Sequence, residues 1–341
     1  MFSKINYAVK WIYGFVLDLP FLLKNYFISS VIAFKKLRYN MKNFADVNLK
    51  LGIYHLNNQN YNDAIFRFKL IDKFFKPSDP LVNYWLGWAY FLKKDYKKAV
   101  IYLEKANGED KVNLLNFIKQ LDTNNVSKVP EQIYSVYRSI NAETIVERFI
   151  SDERHDFPRI IVMSLIDVMN DLPEEIKVLE IGSNVGLVGH EMHKRINNDS
   201  FLLTGVEASS EMVYLQGACN RNVFYNKILN LPVAEFLEDS IDVRYNAVLS
   251  LDGFSNRADL SVICKQIYDI LDIGGYFIFI VKTNDTVNNP DATLAGNYLE
   301  FYYNKGYLDK LLQQNKFKIV AISDLGLVMK NNYSIFICKK L

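Results

Sequence analysis

Two hydrophobic rhythms divide the chain. Between residues 51 and 106 the apolar positions recur at helical spacing and the pattern itself repeats. Leu51-Gly52 returns as Leu86-Gly87, 35 residues on, and Tyr61, Ala64 and Phe68 return as Tyr96, Ala99 and Leu103 at the same shift. Gly52 and Gly87 permit two helices to approach closely. Ala64 and Ala99 sit where the second helix crosses the first, and larger side chains there would push the pair apart. Two copies are fewer than the roughly three a repeat stack usually needs, so flanking helices must cap them. The amphipathic stretch 112–121 (Leu114, Leu115, Phe117, Ile118) supplies one cap, and helices before Ala45 supply the other.

From Lys177 onward short apolar runs alternate with amphipathic stretches, which predicts a parallel sheet flanked by helices. Strands are expected over 177–181, 201–206, 224–229, 245–251 and 276–281, with a last pair over 317–323 and 333–338. Helices are expected from Leu187 on, from a Ser209 cap to Ala218, from Pro232 to Leu237, and over 260–271 and 306–314. Residues 282–295 read as a polar loop. The two halves are joined by a polar segment, 122–130, that ends in a proline, by a helix over 131–148, by a charged and aromatic knot over 149–158, and by a helix over 159–169.

The chemistry gathers at the first strand and its turn, Lys-Val-Leu-Glu-Ile-Gly-Ser-Asn-Val-Gly from Lys177 to Gly186. An apolar run ending in a glycine-rich turn and a helix start is a ligand-cradling unit, because glycine lets backbone come close and a helix N-terminus offers free N–H groups. A dinucleotide fingerprint, Gly-x-Gly-x-x-Gly, is not met: the spacing gives Gly182, Asn184 and Leu187. Two carboxylates flank the turn. Glu180 lies inside the first strand, placed to meet a cationic or amine-bearing group. Glu207 ends the second strand, where a carboxylate can accept both hydroxyls of a ribose.

On these residues the chain resembles class I S-adenosylmethionine-dependent methyltransferases, whose first motif is acidic-x-Gly-x-Gly-x-Gly. Here it reads Glu180-x-Gly182-x-Asn184-x-Gly186, with Asn184 in the middle glycine slot, and Asn is the non-glycine residue that best tolerates a left-handed backbone. The repeats in turn resemble tetratricopeptide repeats. The order of parts is similar to the repeat-bearing, trans-aconitate-methyltransferase-like proteins. The resemblance implies a Rossmann-like seven-stranded α/β sheet with an antiparallel last strand, preceded by an all-α repeat domain. It implies S-adenosylmethionine as cofactor, held by Glu180, Gly182, Ser183, Asn184, Gly186, Glu207, Ala208, Asn230 and Asp252. Asp252, at the end of the fourth strand, is the catalytic candidate. Arg154, His155 and Phe157, just before the core domain, together with Phe254, are lid or substrate-contact candidates.

The domain reading is apolar N-terminal helices over 1–45, repeats over 46–122, linker and helix over 123–145, and the methyltransferase domain over 146–341. Residues 11–34 are apolar but broken by Asp18, Pro20, Lys24 and Asn25, so no run of about 18–20 apolar residues exists. Lys35, Lys36 and Arg38 follow directly. Packing on the repeats, an in-plane membrane anchor and a short signal anchor all remain open, so peripheral membrane contact through residues 1–40 stays among the expectations.

Composition narrows this little. Half the residues are hydrophobic, enough for a large core without disulfides. A net charge of +2 gives no reason to expect nucleic acid. Three dispersed cysteines, Cys219, Cys264 and Cys338, make neither a disulfide framework nor a zinc knuckle, and a reducing, cytoplasmic compartment is the expectation. His190 and His193 stand three apart, not the four of a zinc-protease helix, so no metal is expected. No Gly-x-Ser-x-Gly or Gly-Lys-Ser/Thr loop occurs. The resemblance thus implies a methyltransferase acting on an N or O acceptor, its repeats binding a protein or peptide partner or the substrate. The alternative is a non-catalytic adaptor whose transferase-like domain is degenerate.

Overall fold

A computed structural model describes residues 24, 26–33, 35–36, 43–121, 126–142, 156–197, 200–239, 243–251, 253–284, 291–295, 299–328 and 331–341. The repeat rhythm folds into two helix pairs, α1 (Phe44–Asn57) with α2 (Tyr61–Phe74), and α3 (Pro80–Leu92) with α4 (Tyr96–Glu104). The 35-residue shift extends to the loops: Gln59 and Lys94 both take left-handed backbone, φ 59° and 67°. Asp79 and Asp95 cap α3 and α4 by accepting backbone N–H bonds. The two glycines make the close approach possible. A Cβ on Gly52 would fall 2.3 Å from the Phe68 ring, and one on Gly87 2.5 Å from Leu103. Helix α5 (Leu114–Leu121) closes one end with Leu114, Phe117 and Ile118 buried.

The helix α6 (Glu131–Ile140) follows, shorter than the sequence rhythm suggested, and α7 (Asp156–Val168) leads into the sheet. The strands are β1 (Ile176–Ile181), β2 (Phe201–Val206), β3 (Lys227–Leu229), β4 (Tyr245–Leu251), β5 (Leu271–Thr283), β6 (Ala292–Leu294), β7 (Phe301–Tyr303), β8 (Phe317–Val328) and β9 (Asn331–Lys340). Interleaved with them are α8 (Leu187–Arg195), α9 (Ser210–Ala218), α10 (Val233–Asp239), α11 (Ser261–Ile270) and α12 (Lys305–Gln314). The order β3-β2-β1-β4-β5 is parallel throughout. Strand β9 then pairs antiparallel with β5 and carries β8 on its outer side. That is the mixed, Rossmann-like sheet with an antiparallel end strand that the resemblance implies, but with nine strands rather than seven, because β6 and β7 add to the edge of β5.

Alternation explains why the sheet is buried on both faces. Phe277, Phe279 and Val281 point to the face shared with α10 to α12, while Tyr276, Ile278 and Ile280 point to the face covered by α7 and α8. The stretch 282–295 is not simply a loop: it holds the end of β5 and strand β6, which pairs with β7, and β7 joins β5 at Thr283. The expected strand over 224–229 shortens to three residues because 222–224 form a single tight turn. Of the first 42 residues only 24, 26–33 and 35–36 are described, helical where assigned, with Tyr26, Phe27 and Ile32 exposed. Among the described residues no helix is long and apolar enough to cross a membrane.

Gly52→Ala tests the helix crossing. Phe68 is fully buried and cannot swing away, so the variant should lose roughly 1–3 kcal/mol of stability to urea, whereas alanine at the open position Gly217 should not destabilise comparably.

Candidate functional site

Parallel α/β sheets bind ligands beyond the carboxyl ends of the strands, where the connections reverse direction. Here that point lies between β1 and β4, since β1 passes outward to β2 and β3 while β4 continues to β5. The tips there approach closely because neither carries a side chain: a Cβ on Gly182 would lie 2.9 Å from Gly253 Cα.

The turn after β1 is left-handed at three alternate residues, Gly182 (φ 73°), Asn184 (φ 50°) and Gly186 (φ 79°). Asn184 thus adopts the conformation a glycine would supply, and its carboxamide donates to Gly182 O at 2.8 Å, bracing the turn from within. The Gly182 and Ser183 amides donate to Val206 O at 2.9 and 3.0 Å, tying the turn to the tip of β2. Ser183 is buried and its hydroxyl accepts from Gln216 of α9 at 3.0 Å.

Glu207, just past β2, is buried, with its carboxylate between two elements. Oε2 accepts the Asn184 amide at 2.9 Å, and Oε1 accepts the Ser209 amide at 2.9 Å. Asn230 donates to Glu207 O at 2.8 Å and so fixes the strand tip rather than reaching for a ligand. Ser209 is the N-cap of α9.

The third partner of Glu207 comes from outside the sheet. Arg138 of α6 donates from Nη2 to Glu207 Oε2 at 3.4 Å and also to Asn184 Oδ1. With Tyr134 it covers the tips. The cavity bounded by Gly182, Glu207, Ala208, Gly253, Asn256 and these two side chains measures about 30 Å³, room for roughly one water. Arg257 pairs with Glu131 at the other end of α6. The loop after β4 is held rigid from the far side: Tyr303 donates to Phe254 O at 2.8 Å and to Arg257 O at 2.6 Å, and the Phe301 amide donates to Ser255 O at 2.7 Å. Strand β7 supplies this clamp. A polar stripe at positions 131, 134 and 138 of α6 was the available sequence signal for the covering residues. Asn256 and Arg257 offered none.

Several expected positions differ. Glu180 does not line the cavity: it is 1 % exposed and accepts the Tyr225 hydroxyl at 2.6 Å. Phe254 is buried against Phe277 and Phe279, and Phe157 packs edge-on against Tyr333 on the opposite face of the sheet. Both are core residues because the sheet faces, not the strand tips, receive them. Gly182, Glu207 and Ala208 do line the cavity. Gly186 lies behind the turn, against Arg221 and Tyr225. Arg154, His155 and Asp252 lie outside the described residues. Among the described residues no group of three or more His, Cys, Asp or Glu could hold a metal. His190 packs edge-on and His193 at a tilt against Phe224.

Tyr225 explains the glycines. A Cβ on Gly189 would lie 2.6 Å from its ring, one on Gly205 2.9 Å, and one on Gly186 3.4 Å. The ring fills the space under the turn and its hydroxyl meets Glu180. Burial, partly offset by this hydrogen bond, pushes the Glu180 carboxyl up to about 8.

No protein-family model matches the chain, and no curated protein matches it. Solved structures similar in shape include an S-adenosylmethionine-dependent methyltransferase from Clostridium acetobutylicum (TM-score 0.43, 14% identity, 58% of this chain and 97% of that one). Another is the geranyl diphosphate C-methyltransferase of Streptomyces coelicolor with Mg2+, geranyl diphosphate and S-adenosyl-L-homocysteine (0.44, 12%, 55% and 80%). A third is the [4+2]-cyclase SpnF (0.44, 12%, 54% and 80%).

Glu180 gives a pH test. An acid whose folded pKa is raised from 4.5 to about 8 keeps its proton in the folded state while the unfolded chain loses it, so stability falls as pH rises between those values and levels off above. Glu180→Gln, a neutral isostere, should remove that component: its Tm relative to the native chain should climb from pH 5 to pH 8. A constant difference would show that Glu180 is already ionised.

Proposed function

We propose that the chain is an S-adenosylmethionine-dependent methyltransferase acting on an N or O acceptor, with the helical layer binding a protein partner or the substrate. The observation that carries this reading is the Glu207 carboxylate at the tip of β2, beside the left-handed turn 182–186 and at the point where the sheet connections reverse. A carboxylate there, oriented by two backbone amides, suits a ribose diol, and Gly182 and Ala208 leave backbone rather than side chain around it. A second observation supports a ligand: Asn256 Nδ2 is buried in the cavity wall and has no hydrogen-bond partner. In packed interiors such donors are paired.

The residues fit this cofactor. Glu207 would hold the ribose, the Gly182–Asn184 backbone would flank it, and Asn256 would donate to an acceptor oxygen of the bound molecule. When bound, the cofactor supplies a methyl group on a sulfonium. The chain's own part is then placement: the clamped loop 253–258 and the braced turn 182–186 hold both walls still, and orientation supplies most of the acceleration in such a transfer. Such a transfer needs no acid–base pair. Asp252 remains the candidate for orienting the nucleophile.

The adaptor reading is favoured by one specific observation: Arg138 and Tyr134 narrow the cavity among the described residues to about 30 Å³, below the roughly 300 Å³ a ligand of this size requires. Calorimetry separates the two. The methyltransferase reading expects S-adenosylhomocysteine to bind the native chain, and Glu207→Ala to weaken it roughly 10- to 100-fold, the loss of charge-assisted hydrogen bonds. Absence of heat with both S-adenosylmethionine and S-adenosylhomocysteine would leave the adaptor. Transfer of a labelled methyl group into a fractionated lysate then sizes the acceptor.

A further inference from the structure

Helix α6 has two faces of different chemistry. Ile133, Val136, Tyr137 and Ile140 form an apolar stripe within a hydrophobic cluster that runs from the repeats onto one face of the sheet and takes in Tyr134 as well, and Asn141 at the helix end accepts from Gln59, between α1 and α2, at 3.2 Å. The other stripe, Glu131, Tyr134, Ser135, Arg138 and Ser139, lies on the strand tips through polar contacts. Tyr134 bonds Ser255 Oγ at 2.8 Å, Ser135 donates to Ala208 O at 3.2 Å, Ser139 bonds Ser209 Oγ at 3.0 Å, Arg138 meets Glu207 and Asn184, and Glu131 meets Arg257. Hydrogen bonds of this kind contribute modestly in net terms, because water or a ligand replaces them. Apolar burial is not replaced in that way. The start of the helix is held to the loop after β4 by the backbone, Val129 donating to Asn256 O at 2.7 Å and Ala258 to Ser127 O at 2.8 Å, so the exchangeable contacts are the polar side-chain bonds along the helix, that of Arg138 to Glu207 first among them. The helix closes the cavity while leaving Asn256 Nδ2 without a partner.

We propose that α6 is a gate over the cofactor crevice, in which the Arg138 guanidinium stands on Glu207 in place of the ligand's diol. The inference rests on the methyltransferase reading. Guanidinium and diol compete for one carboxylate, so the closed gate and the filled crevice exclude each other, and ligand affinity is lowered by the fraction of molecules with the gate shut.

The test compares the native chain with Arg138→Ala by calorimetry with S-adenosylhomocysteine, alongside hydrogen exchange of the backbone amides. Arg138→Ala should bind at least fivefold more tightly. In the native chain the ligand should speed exchange across 131–140 while slowing it at 182–186. In Arg138→Ala the helix should already exchange fast without ligand. Glu131→Gln, which loosens the helix at its other end and leaves Glu207 untouched, should shift affinity and exchange in the same direction and serves if Arg138→Ala folds poorly. Weaker binding by Arg138→Ala would make Arg138 a ligand contact and overturn the gate. Equal binding with unchanged exchange over 131–140 would overturn the gate and leave the methyltransferase reading standing. Binding by neither chain would overturn both.

Discussion

A buried negative charge needs compensation, and the site is built around that demand. Glu207 sits at the tip of β2 with little access to water, and burying an unpaired carboxylate is costly. Two backbone amides and one guanidinium meet it. The amide of Asn184 reaches Glu207 only because the turn after β1 is left-handed there, the amide of Ser209 only because α9 begins at once, and the guanidinium only because α6 lies across the strand tips. Turn, helix start and covering helix are thus three answers to one electrostatic requirement.

Beneath the turn a second buried group sets the shape. The Tyr225 ring occupies the space that side chains at 189 and 205 would otherwise take, so those two glycines serve packing rather than approach to a ligand, while Gly186 serves its left-handed backbone. Glu180 is drawn into the same pocket by the Tyr225 hydroxyl. The cradle is stiff for this reason: its floor is an aromatic ring, and its opposite wall is pinned by Tyr303. Such stiffness suits a site that works by placing groups and not by moving protons.

The helical layer and the sheet meet along α6 and the segment before it, through one continuous apolar cluster and a row of polar bonds to the strand tips. Apolar burial sets where the helix belongs, and polar contacts set whether the crevice is open.

Much of this was written locally. Gly52 and Phe68 recur as Gly87 and Leu103, and the structure repeats them down to the left-handed loop residues. The uninterrupted apolar run Tyr276–Val281 marks a buried strand, and Ser209 announces its helix. These signals are legible because helix and strand periods depend on neighbours a few residues away. The place of Glu207 followed as well, since strand ends are local. What only the tertiary structure decided is which side chains meet there. Arg138 joins residues 46 and 69 positions further along the chain, Tyr225 takes Glu180 from 45 positions away, and Phe157 and Phe254 go to the sheet faces rather than the tips. Such meetings depend on how layers stack and where a buried charge finds a partner, and no local pattern encodes either.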